Sequence, residues 1–253
     1  MSSDTVAIQP SASMAQQGST RLGFWTAILL SALAITAFAL GITTPPRSGP
    51  YCTGNCISYP YTDATQFVPR DYLWVVPGLL LVPVYVVLAG CIHACVAAVK
   101  RHLSTIGLCF ASMAAAIIAL DYFVQFQVVV PSVLKGELSG LSLFTQYNPH
   151  GFFIALEDFG YLILSAAFLF AGAAFPHGIR LERAIRWTFV AAALLNLATF
   201  VAMMWRFGFN VDYRFEVATI TINWMALLLL GLLLGVYFGR GRRSEPHKTG
   251  NRF

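Results

Sequence analysis

Six uninterrupted apolar runs, each about as long as a bilayer is thick, dominate this sequence: residues 22–42, 72–99, 106–130, 151–175, 187–207 and 218–238. A hydrocarbon core of about 30 Å takes roughly 20 helical residues to cross. Lipid offers no partner to a backbone N–H or C=O, so a spanning segment must be a helix or part of a closed barrel. The runs are continuous rather than alternating, which excludes the barrel. The expected fold is an all-α, polytopic bundle of six transmembrane helices. Composition agrees: 57% of the chain is hydrophobic and 11% charged, against about 45–50% and about 25% in soluble domains. The first run exceeds the roughly 7–15 residues of a signal peptide's apolar core and is read as a retained span.

The segments between the runs set the expected orientation. With the N-terminus in the cytoplasm, the inside segments hold Arg21, Lys100, Arg101, Arg180, Arg183, Arg186, Arg240, Arg242, Arg243, Lys248 and Arg252. The outside segments hold Arg47, Arg70, Lys135, Arg206 and Arg214. The positive-inside rule then favours both termini in the cytoplasm of a cell (inner) membrane protein. Residues 1–20, rich in Ser, Gln and Ala, read as disordered, and residues 240–253 as a basic tail suited to anionic lipid headgroups. The net charge of +5 is accounted for by this arrangement and does not call for nucleic acid.

Ionisable side chains in a span are costly and point to function or to a partner. Three acids fall at membrane depth: Asp121, Glu157 and Asp158. Gln125 follows Asp121 at i+4, and Tyr161 shares a helical face with Glu157 and Asp158. The fifth run carries Asn196, Thr199, Met203 and Arg206 as a stripe, and the sixth adds Thr221, Asn223 and Trp224. Alternating direction of the spans places this set in the outer half of the membrane. Asn148 and Pro149 fit an N-cap and first helical residue for the fourth span. His150, beside them, reads as an interfacial polar residue or as a proton donor to the acids. In a purely structural reading Arg206 neutralises one acid and the amides join the helices.

Of the five cysteines, Cys91, Cys95 and Cys109 lie in apolar runs and read as small buried hydrophobes. Cys91, His93 and Cys95 scatter around a helix at i, i+2 and i+4, so no metal is expected, and no motif asks for a cofactor. Cys52 and Cys56 lie in a polar loop on the side where disulfides persist. Gly54 and Asn55 can turn the chain between them, and a local bond is expected.

The words DYFVQ, from Asp121 to Gln125, and LSLFTQYNPHGFFIALEDFGYL, from Leu141 to Leu162, resemble segments of bacterial polytopic membrane proteins of unknown function. That resemblance implies a membrane bundle and supplies no activity.

Three functional readings follow. The leading one is a non-enzymatic protein that binds or passes a small hydrophobic or ionic ligand, or a proton, through an outward-facing polar pocket. The site would be Asp121, Gln125, Glu157, Asp158, Tyr161, Arg206, Asn223 and His150. Six spans are few for a lone transporter, which points to a homo-oligomer among lipid partners. The second reading is an intramembrane enzyme acting on a lipid or isoprenoid-like substrate, against which stands the lack of H-E-x-x-H or G-x-S-x-G. The third is a structural or assembly role.

Overall fold

The computed structural model describes residues 10–243, with side chains over residues 18–242. Among these residues there is no strand. The helices are α1 (Pro10–Ile42), α2 (Val75–Cys95), α3 (Arg101–Val124), α4 (Val130–Lys135), α5 (Phe152–Ala174), α6 (Arg180–Phe207) and α7 (Tyr213–Arg243). A single π-helical turn, Gln125–Val129, joins α3 to α4. Six continuous rods result, each long and apolar enough to cross a membrane.

Each rod packs on its neighbour in the chain: α1 on α2, α2 on α3, α3 on α5, α5 on α6 and α6 on α7. Then α7 returns to α1, closing a ring in chain order, and α5 touches α7 across it. Lipid gives helices little hydrophobic reason to associate, so close packing needs small residues at the crossings. A Cβ at Gly231 of α7 would lie 2.7 Å from the Ala27 carbonyl oxygen of α1. At the same crossing the Ser31 hydroxyl donates to the Leu228 carbonyl at 3.3 Å. Gly160 of α5 admits Ile118 of α3, and Gly172 of α5 admits Phe189 of α6. Large apolar side chains such as Ile28, Leu29, Leu194 and Val201 point out of the ring. That surface would be a liability in water and is natural against lipid.

The segments between α1 and α2 and between α4 and α5 fold together over one end of the ring. They share an apolar cluster that includes Ile57, Ala64, Tyr72, Val133 and Tyr147. Cys52 and Cys56 are joined there as a disulfide, their Cα atoms 5.9 Å apart. The cap is pinned at Asp71, which is fully buried. Its carboxylate accepts from Arg47 Nε at 2.9 Å, Arg70 Nη1 at 3.4 Å and the Tyr147 hydroxyl at 3.4 Å. Burial, with Tyr72 and Asp71 beside it, holds the Tyr147 phenol well above its ordinary pKa. It therefore stays a donor to Asp71.

Several boundaries differ from the sequence reading. The segment expected to be disordered to residue 20 is helical from Pro10. Residues 1–9 and 244–253, with most of the basic tail, lie outside the described residues. The third span does not stop at Pro131. The Val130 N–H reaches back to the Gln125 carbonyl in π register, and Pro131 enters the first turn of α4, where a missing N–H costs nothing. The rod ends at Lys135, followed by Gly136 at φ 73°. In contrast α2 ends at Cys95, with Val96 extended. Helices α6 and α7 begin before their apolar runs, at Arg180 and Tyr213. Hydropathy marks where lipid begins, whereas the backbone continues its hydrogen bonds into the interface.

Candidate functional site

Glu157 sits on α5 five residues after its first residue, Phe152, roughly 8 Å along the axis at about 1.5 Å per residue, and is fully buried. From α3, the Tyr122 hydroxyl donates to its Oε1. With Tyr122 so committed, the Tyr161 hydroxyl donates to Tyr122 at 3.1 Å. Tyr161 in turn accepts from Trp224 Nε1 of α7 at 2.6 Å. An indole N–H can only donate. The chain Trp224, Tyr161, Tyr122, Glu157 therefore has one direction and ends on a carboxyl. Around it Trp74, Tyr122 and Phe153 form an aromatic wall, with Trp74 ring centroids 5.5 Å from Tyr122 and 5.9 Å from Trp224. Gly78 of α2 makes space for the Tyr122 ring, which lies 2.8 Å from where a Cβ would be.

Helix α7 adds Glu216, whose carboxyl lies close enough to that of Glu157 for the two to interact electrostatically. Two carboxylates only accept, so a bond between them requires a proton on one. Glu157 Oε2 is buried without a hydrogen-bond partner. Asp121 and Asp158 stand close enough to add repulsion if ionised. Asp121 Oδ2 and Asp158 Oδ1 are buried without a partner. Among the described residues no ion pair joins a basic side chain to any of these four acids. The pairs present go to Asp71 and Asp212.

A cavity of about 450 Å³ lies between α1, α7 and the cap. Glu216 and Trp224 are in its wall, with Trp74, Tyr213, Arg47 and Asp71. Glu216 thus links the cavity to the buried Glu157. Next to this centre a neutral cluster ties three helices: Asn196 donates to Ser165 Oγ at 2.6 Å and accepts from Thr219 Oγ1 at 2.7 Å. Asn223 donates to the Thr219 carbonyl at 2.8 Å.

The residues expected at one site divide. Asp121, Glu157 and Tyr161 come together, with Asp158 half-buried at the edge. Asn223 belongs to the neutral cluster. Gln125, fully buried on the π turn, donates to the Phe144 carbonyl at 2.8 Å and holds the cap. Arg206 is not there. It is exposed, with its guanidinium 5.2 Å over the Phe207 ring. Ten residues at about 100° each leave it roughly 80° off the Asn196 face. His150 is also elsewhere, paired on the surface with Asp212 at 3.2 Å. Asn148 is no N-cap: its Oδ1 accepts from the His150 N–H, and α5 starts after Gly151.

Sequence reasoning missed Glu216 and Tyr122. Glu216 lies two residues before the sixth apolar run, outside the stretch that hydropathy marks as span. Its signal was the spacing Glu216, Thr219, Asn223 at i, i+3, i+7, one face of a helix. Tyr122 was hidden because a tyrosine in an apolar run looks like packing. Comparison of the chain with family models, curated proteins and solved structures finds no match.

Proposed function

We propose that the protein is an integral membrane protein that binds a small solute in the cavity under its cap, with Glu216 and Glu157 exchanging a proton as the site fills. The observation behind this reading is the carboxyl pair: Glu216 borders the cavity beside Glu157, and among the described residues no basic side chain pairs with either. Uncompensated acids at membrane depth are expensive. A structural role would have supplied an internal cation. An acid pair beside a cavity of ligand size suits a site that takes its positive charge from outside. The termini are assigned to the cytoplasm and the cap to the outer face of the cell membrane. The bias of basic residues and the cap disulfide in an oxidising compartment support that assignment.

Access is the test. In a background with Cys91, Cys95 and Cys109 replaced by Ala, Glu216→Cys should react with a charged, membrane-impermeant thiosulfonate added outside intact cells. Leu194→Cys, on the exposed apolar face of α6, should not. Failure of Glu216→Cys to react, in protein that inserts normally, would remove the solute site.

A further inference from the structure

The wall of the cavity is unusual for a site that carries a free carboxyl, because most of its large side chains are aromatic. Phe38, Tyr51, Trp74, Tyr147, Tyr213 and Trp224 all border it. An aromatic face is negative at its centre and attracts a cation that has shed part of its water. Small inorganic cations hold their water too firmly to gain from such a wall and prefer cages of oxygen ligands. Among the described residues no group of His, Cys, Asp and Glu is arranged to hold a metal ion. Anions are disfavoured by the charges. Arg47, which also borders the cavity, is committed to Asp71 at 2.9 Å and lies 3.8 Å over the Phe67 ring. With that pair neutral, Glu216 is the wall's one acid without a basic partner among the described residues.

We infer that the ligand is an organic ammonium ion, seated among the Phe38, Trp74 and Trp224 rings with its positive charge toward Glu216. This deepens the proposed solute site and rests on it. The fit is one of size as well as charge: about 450 Å³ holds a head with several alkyl groups, within the roughly 300–1,000 Å³ of small-molecule pockets. In the empty site both carboxyls of the pair hold their protons; binding of the cation would release the Glu216 proton and leave a Glu216 carboxylate beside the ammonium and a protonated Glu157. The balance is one cation in and one proton out. The Trp224 to Tyr161 to Tyr122 donor chain would then steady the second carboxyl of the pair without a basic residue.

The experiment uses full-length protein in detergent, titrated with choline, benzyltrimethylammonium and the uncharged carbon analogue of choline, 3,3-dimethylbutan-1-ol. Heat and proton release in weak buffer are measured together. At least one of the two cations should bind at least about tenfold more tightly than the alcohol and release close to one proton. Glu216→Gln should weaken that cation about tenfold and leave the alcohol unchanged. Phe38→Leu keeps an apolar wall without the ring and guards against a Glu216→Gln protein that fails to fold. It should weaken the cation several-fold and spare the alcohol. Equal binding of cations and alcohol, or no binding of either cation, would overturn the ammonium assignment. If Glu216→Cys still reacts from outside, the solute site survives that result; if it does not, both readings fall.

Discussion

Tyr122 and Glu157, on different helices, meet as donor and acceptor in a place that water does not reach. Such pairs in membranes are coupled by about 0.6 kcal/mol on average and up to about 1.7, because the unfolded chain in lipid also finds partners. The double-mutant cycle of Tyr122→Phe with Glu157→Gln should give a coupling toward the upper end of that range. Unfolding in mixed detergent is the measurement. A coupling near zero would mean the two groups act independently.

Glu157→Gln separates binding from stability. Were Glu157 the partner of a buried arginine, its loss would strand a cation and cost roughly 3–5 kcal/mol. Arg206 lies outside the site, so nothing is stranded. The amide can also donate to Glu216, which a carboxylate cannot. Thermal stability should be unchanged or higher, while proton release on ligand binding disappears. A large fall in melting temperature would refute this account of the site.

Two glycines should respond in opposite directions to the same methyl. Gly231→Ala puts a Cβ against the backbone of α1, which cannot rotate away, and should cost about 1–3 kcal/mol. Gly90→Ala has no neighbour within 4 Å and should gain about 0.5–1 kcal/mol by favouring the helix. Denaturation of the two variants side by side checks the ring closure between α1 and α7.

The exposed Arg206 and the buried Arg47–Asp71 pair can likewise be ranked. Arg206→Ala should change stability by no more than about 0.5 kcal/mol, as exposed substitutions do. Asp71→Ala removes the buried partner of Arg47 and should cost roughly 3–5 kcal/mol. The loss should loosen the cap first. Faster proteolysis of the segment around Cys52 and Cys56 would show it before global unfolding.

What was legible in the sequence was what lipid dictates. The length and continuity of the six runs fix rods, and rods of that length are what the fold contains. Glu157 and Asp121 could be paired because alternating span direction fixes depth. Rotation about each axis was harder to read. Arg206 was placed on the Asn196 stripe because i, i+3, i+7 and i+10 look like one line, yet the error of each step accumulates. Glu216 was lost for a different reason: an average of hydropathy ends where charges begin, so an acid on the first turn of a span falls outside the window. The cap was beyond reach. Its fold depends on Asp71 meeting Arg47 from 24 residues earlier, a contact with no periodic trace.

The closing of the ring by α7 on α1 has a consequence for biogenesis. Five of the seven packing interfaces described between rods join neighbours in the chain and can form in order as the spans leave the insertion machinery. The interfaces made by α7, with α6, α5 and α1, wait for the end of synthesis. Glu216 and Trp224 both ride on that last rod. Until it docks, Glu157 has neither its carboxyl partner nor the end of its donor chain, and the cavity lacks a wall. A chain interrupted before the sixth span would therefore be an inserted membrane protein without a site, so any quality control that reads exposed acids in lipid has its clearest signal in the unfinished form.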